Sequence, residues 1–373
     1  MKRNLRYIGI LFLAAILSGC GRASEGAPAE TPTETLAIVT ETQTSELSTA
    51  SDALVETTVP QTTTLPETTE ATTETTEAPT ESEPTDRPPQ LLHRSNQWGY
   101  VVTVELGDHR DLEEIVSFGD DHDPNPTMTW EGSFNPDEPG EYPITVTLSD
   151  SEGNVADYDV TVYVPWEKMT ANGSFDLLLS QNPGKSCGID VSKWQGDIDF
   201  AKVKAAGADF VLMRIGYGDV GGEMDAYFTQ NFEGSKAAGL QRGVYFYSSA
   251  TSVDAARKQA DWIADALNGE PLDLPVAYDW ENFKHFQDFG MSFDTLNEIY
   301  AAFADRMAEH GYDTMLYAEP QTLGTAWTTA DKTIWLAEYG VSPDYDGDYF
   351  LRQVGNTGRI DGIDGDVDLN VLS

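Results

Sequence analysis

The chain has 373 residues, a formal net charge of −41 and only two cysteines. It is too long and too heterogeneous for one ordinary domain. Its acidity excludes nucleic acid and anionic membrane surfaces as partners held by charge, since both would repel it, and leaves cationic and neutral partners open.

Lys2, Arg3 and Arg6 precede an apolar run from Tyr7 to Leu17. That run is too short to cross a bilayer comfortably and fits the middle of a signal peptide covering 1–19. It ends in Leu17-Ser18-Gly19-Cys20, which resembles the bacterial lipobox. The resemblance implies cleavage before Cys20 and a lipid on its thiol. The protein would then sit on the extracellular face of a bacterial membrane, attached only through that anchor. An ordinary secretory signal with an incidental cysteine is the alternative. With Cys20 lipidated, Cys187 has no disulfide partner, and its apolar surroundings read as those of a buried small residue.

Residues 20–89 are dominated by Thr, Glu, Pro, Ser and Ala. Such a stretch buries too little surface to offset the entropy of ordering, so it reads as a disordered tether reaching through a wall or glycan layer. From 90 to 165 the pattern is of short alternating strands, at Tyr100 to Leu106, Tyr142 to Leu148 and Tyr158 to Val164, separated by turn residues such as Pro139-Gly140. The stretch from Pro139 to Asp150, followed by Gly153-Asn154, is similar to the last hairpin of bacterial immunoglobulin-like surface modules. The similarity implies a small all-β sandwich, read as a spacer. Residues 166–185 read as a connector.

After it, strands and helices alternate over 186–373. Strands are expected at 188–191, 210–215, 243–247, 274–278, 314–317 and 333–337, and helices at 200–206, 227–238, 253–267 and 293–310. Gly239 and Gly311 follow two of these helices directly, as helix-ending residues should. Alternation with wholly apolar strands argues for a parallel sheet covered by helices and closed into an irregular (β/α) barrel of the TIM type. The stretch 348–372 has strand signals with no helix between, so closure is expected to be irregular.

In such a barrel, reactive side chains gather at the carboxyl ends of the strands. Asp190, Arg214, Tyr217, Tyr247, Asp279, Glu281, Tyr317, Trp335, Gln353 and Asp368 fall there or close by, together with Tyr245, Glu319 and Tyr339. Asp279 and Glu281 alternate along one strand, so they face the same way with Cα atoms roughly 6.6–7 Å apart. Two carboxyls in one pocket suit glycoside hydrolysis, and aromatic faces suit sugar rings. By itself an Asp-x-Glu is a weak signal, because strands often end in acids at solvent.

Asp190-Val-Ser-Lys-Trp-Gln-Gly196, Phe210 to Gly218, Gly243 to Ser248, the Asp279-Trp280-Glu281 strand, Trp335 to Tyr339 and Ile363 to Asn370 follow one another in order at plausible spacing. Together they resemble glycoside hydrolase family 25 over essentially 187–373. The resemblance implies a lysozyme-type muramidase acting on peptidoglycan glycan strands, with an incomplete α/β barrel. It makes Glu281 the general acid and Asp279 its charge-stabilising partner, with Asp190 and Asp368 as further acids of the site. Arg214, Tyr217, Tyr247, Tyr317, Trp335 and Gln353 are its expected substrate contacts.

Blander readings stand beside these. Arg214 fits a structural ion pair equally well, Tyr245 and Tyr247 fit the barrel core, Trp194 reads as packing, and Asp225 and Asp364 as turn residues. Trp280 should face outward against helices. The pKa of Glu281 should be raised by burial and by the charge of Asp279. A chitinase-like or endo-N-acetylglucosaminidase hydrolase, or a non-catalytic wall-binding surface protein, is the alternative. The five histidines show no ligand spacing and no Gly-rich loop precedes a helix, so neither metal nor cofactor is expected. The protein is expected to act as a monomer.

Overall fold

The computed structural model describes residues 86–96, 98–166, 173–340 and 343–373. The signal segment, Cys20 and nearly all of the expected tether lie outside the described residues. Among the described residues no helix is long and apolar enough to cross a membrane.

Eight strands close into a ring over the carboxy-terminal half. They are β1 (Cys187–Val191), β2 (Phe210–Gly218), β3 (Gln241–Ser248), β4 (Val276–Asp279), β5 (Thr314–Ala318), β6 (Ile334–Ala337), β7 (Leu351–Arg359) and β8 (Val367–Leu372). β1 to β7 pair in parallel, each with the next. β8 closes the ring antiparallel to both β7 and β1. Four helices follow the first four strands in turn: α1 (Phe200–Ala205), α2 (Phe228–Ala238), α3 (Val253–Leu267) and α4 (Phe293–Glu309). The side chains of Ser252 and Ser292 accept backbone N–H bonds at the starts of α3 and α4. Gly239 ends α2 with φ of 71°, a conformation that only glycine adopts without cost.

Alternation along each strand separates two layers. Ile189, Val211, Met213, Val244, Phe246, Tyr278, Trp280 and Leu316 point outward and pack under the helices. Phe210, Leu212, Leu274, Ala277, Met315, Trp335 and Leu351 form a separate cluster inside the ring. Trp280 behaves as expected: it is 1% exposed, its ring meets Phe283, Phe286 and Phe289 edge-on, and its indole N–H donates to the Ala250 carbonyl at 3.2 Å. Cys187 is fully buried, and burial pushes its thiol up to about 11, so it is inert at neutral pH.

The expected connector is partly structural. Gly173–Ser174 pairs with β7, and the helix Phe175–Gln181 sinks Phe175 and Leu178 into the barrel core.

The amino-terminal module is one five-stranded sheet, in the order Arg94–Ser95, Gly99–Thr103, Val155–Val164, Gly140–Ser149 and Thr127–Gly132. Its buried face of Val102, Val146, Leu148, Val160 and Val162 is covered by the strand pair Gln90–Leu91/Phe118–Gly119 and the helical turn Leu112–Ile115. The second layer is therefore short, and Gly99–Thr103 runs parallel to Val155–Val164. Folding also starts earlier than composition suggested. Arg87 pairs with Asp121 at 2.8 Å, Asn154 donates to Asp86 at 2.5 Å, and Tyr158 donates to the Pro89 carbonyl at 2.7 Å. These partners lie 34 to 69 residues away in the chain, so local composition carries no sign of them.

Candidate active site

The carboxyl ends of the barrel strands bring Asp190, Asp279, Glu281 and Asp368 to one mouth. Asp190 and Asp368 are directly opposed in the β1–β8 register, and both contribute a hydrogen bond to the same pair. Asp279 ends β4. Glu281 follows two residues on, capping the 3₁₀ turn Asn282–Phe289. Asp279 is hydrogen-bonded to Glu281, while its Oδ1 is buried with no hydrogen-bond partner.

Asp190 and Asp279 are buried and Glu281 and Asp368 half-buried, and acids gathered at one mouth in this way resist being ionised together. Burial raises Asp190 to about 6, against the lowering effect of hydrogen bonds from Gln353 and Asn370. Burial, then the charge of Glu281, holds Asp279 well above the carboxylate range. Burial, then the charge of Asp190, does the same for Asp368. Glu281 is raised by burial alone. The expected contribution of the Asp279 charge is absent, because Asp279 carries the shift itself and its hydrogen bond lowers Glu281. In each pair, Asp279–Glu281 and Asp190–Asp368, both carboxyls are raised, and Asp279 and Asp368 are the members held well above the carboxylate range.

Asp190 is held rigidly. Gln353 donates to its Oδ2 at 3.0 Å and Asn370 at 2.6 Å, while the Tyr317 hydroxyl donates to the Gln353 carbonyl oxygen at 2.9 Å. Gln353 is 4% exposed, so it orients an acid of the site from behind. Asn370 was not singled out in the sequence, although it stands two residues from Asp368 on the same strand face and was readable by parity.

Tyr247 and Asp279 are register partners, as are Tyr217 and Tyr247, which places both tyrosines at the mouth. Tyr217 donates to Glu223 at 2.6 Å and stands near Lys193, 5.4 Å from its ring. Arg214 forms a buried ion pair with Asp225, through Nε at 2.8 Å and an Nη at 2.7 Å. Asp225 is therefore a supporting acid, also accepting the Lys193 N–H at 3.1 Å.

Two aromatic readings are corrected. Trp335 is 1% exposed, inside the ring, with its indole donating to Asn370 at 2.9 Å and its face edge-on to Tyr317. At that depth it fills the barrel and offers no face to a sugar. Trp194, expected to pack, is 67% exposed at the rim, with the Lys193 ammonium 5.0 Å from its ring.

Glu319, two residues past the Tyr317 that pairs with Asp279, joins the site as a fifth acid. Burial, then the charge of Glu281, raises it to about 7. Elsewhere, the ligand atoms of Asp86, Asp121 and His122, and those of Asp86, Asp150 and Glu152, lie within 4.8 Å of one another in each group. Arg87 and the Asn154 amide already satisfy part of that negative charge.

Residues 189–363 match the family described as glycosyl hydrolases family 25. The barrel is thus similar to this family over nearly all of its length. It is 31% identical over 189 residues to the autolytic lysozyme of Clostridium acetobutylicum, covering 50% of this chain and 55% of that protein. With lysozyme M1 of Streptomyces globisporus it shares 30% over 200 residues, covering 49% of this chain and 66% of the relative. The chain thus spans between about half and two thirds of the curated relatives it matches. A solved bacterial lysozyme from Streptomyces coelicolor aligns over 52% of this chain and 94% of its own, with 28% identity and a TM-score of 0.46. The matched residues coincide with the barrel described above.

Proposed function

We propose that the protein is a peptidoglycan hydrolase that cleaves the β-1,4 bond between N-acetylmuramic acid and N-acetylglucosamine. The observation that carries this reading is the gathering of four acids at one barrel mouth, Asp190 opposite Asp368 in the β1–β8 register and Asp279 and Glu281 at the end of β4. Glu281, beyond the strand end, donates a proton to the leaving glycosidic oxygen. Asp279, behind it, stabilises the positive charge that grows at the sugar or orients its acetamido group. Asp190 and Asp368 complete the acidic wall, with Gln353 and Asn370 fixing Asp190. Half-buried Tyr217 and Tyr247 and exposed Trp194 offer aromatic surface at the rim.

The rest of the chain fits a surface enzyme. A lipid on Cys20 would hold it at the membrane, the Thr/Glu/Pro-rich segment would carry it into the wall, and the amino-terminal module belongs to the immunoglobulin-like surface type. The test is digestion of purified peptidoglycan followed by mass spectrometry of the fragments. New reducing ends on N-acetylmuramic acid are expected, and ends on N-acetylglucosamine would overturn the bond assignment. Glu281→Gln should lower kcat by roughly 10²–10⁴-fold with the fold intact; undiminished activity would remove Glu281 from the acid role.

A further inference from the structure

The amino-terminal module is attached to the mouth end of the barrel. The elements it touches follow the carboxyl ends of β4 and β6. Gln287, in the turn directly after Glu281, donates to the Phe118 carbonyl. The first residues of α4 are bound by the module's backbone, Phe293 N–H to the Asp120 carbonyl at 2.8 Å and Asp294 N–H to that of Asp121 at 3.2 Å. The approach is so close that a Cβ on Gly119 would lie 2.5 Å from the Phe293 ring. Leu92 of the module is counted in the barrel's own core. From the catalytic strand, Trp280 packs on Phe286, and Phe286 on Phe293. Acid and module thus share one continuous rigid contact.

A second contact lies past β6. Ser95 Oγ donates to Asp344 Oδ2 at 3.1 Å, the Asn96 N–H to the same oxygen at 2.7 Å, and the Asn96 side chain to the Asp344 carbonyl at 2.8 Å. Asp344 and Tyr345 donate their own N–H groups to Glu338, next to Tyr339, whose phenol feels the charges of Asp368, Glu319 and Glu281. On this anchored hairpin stands Trp98, 47% exposed, its N–H donating to Ser95 Oγ at 3.2 Å. An exposed indole on a hairpin fixed at four points by Asp344 and Ser95 is a preorganised stacking face.

We propose that the module is one wall of the glycan groove, and that Trp98 supplies an outer sugar subsite for strands longer than the catalytic mouth accommodates. The proposal rests on the glycan-hydrolase reading above and gives the module a part beyond that of a spacer. Its occupant is a neutral sugar polymer running out of the acidic mouth, whose ring faces stack on the indole.

The test uses the full chain with Trp98→Ala and, separately, Asp344→Ala, which frees the hairpin without touching the indole. The quantity read is the ratio of kcat/KM on long glycan strands to kcat/KM on the shortest oligosaccharide that is cleaved. Trp98→Ala should lower this ratio roughly three- to tenfold through KM, the size of one lost aromatic contact, and Asp344→Ala should lower it in the same direction. An unchanged ratio, or equal loss on both substrates, overturns the proposal. Co-sedimentation of the Glu281→Gln chain with insoluble sacculi, with and without Trp98→Ala, gives a readout independent of turnover. A wild-type chain that cleaves neither substrate removes the muramidase reading, and the wall is then decided by sedimentation alone.

Discussion

The floor and the mouth of the barrel are built from the same strands but obey opposite rules. Facing inward, β2 reads Phe210, Leu212, Arg214; the β4 segment reads Ala277, Asp279, Glu281; β5 continues Met315, Tyr317, Glu319; and β7 runs from Leu351 to Gln353. Each passes from apolar to polar within two or three inward positions. The antiparallel β8 reads the other way, Asp368, Asn370, Leu372, so it joins the same gradient. At the floor, close packing satisfies every side chain. At the mouth, acids are kept protonated by burial and by one another, and an Asp279 oxygen lacks a partner. The floor holds the fold, and the mouth costs stability in order to hold protons.

Three substitutions break or sharpen that contrast. The largest effect belongs to the floor: Met315→Ala should cost about 2–5 kcal/mol of stability, with the kcat of the molecules that remain folded little changed. Denaturant midpoints and active-site-normalised rates check both halves. Next, Asp279→Asn should abolish most turnover yet raise stability at pH 7 by about 0.5–2 kcal/mol, as relief of a crowded acid does.

Its sign follows from the raised pKa values. Carboxyls that titrate higher in the folded chain stabilise it fully below their ordinary range near 4. That contribution is lost as pH rises through about 6 for Asp190 and about 7 for Glu319. Wild-type stability should therefore fall between pH 4 and 8, and less steeply in Asp279→Asn. A flat wild-type profile would contradict these raised values. The smallest effect is expected of Glu319→Gln. Burial raises Glu281, and Glu319 is the member of this pair that carries the charge effect, so neutralising Glu319 should leave the alkaline limb of the kcat profile in place to within about one pH unit.

Much of this was legible because a barrel strand is a short, apolar, self-contained signal. β1 to β6 and the four helices fall where apolar runs and Gly239 place them. Asp279 and Glu281 were readable from parity, and Trp280 between them necessarily faced outward. Depth inside the ring was not readable. Trp335 and Tyr317 are register partners on neighbouring strands, yet the first is sealed in the floor and the second bonds to a residue of the site. Long-range docking was also hidden, since nothing local in Gly119 announces the Phe293 ring, and nothing in Asp344 announces Asn96. The start of the module at residue 86 escaped for the same reason.

The way the ring closes has a consequence for when the site is complete. Asp279 and Glu281 lie on one short segment, but Asp190 meets Asp368 and Asn370 only when β8 zips against β1, a pairing that joins residues 180 apart in the chain. A barrel with that seam unzipped would keep Asp279 beside Glu281 and lose the other half of its acid cluster. Completion of folding and completion of the acid cluster are then a single event.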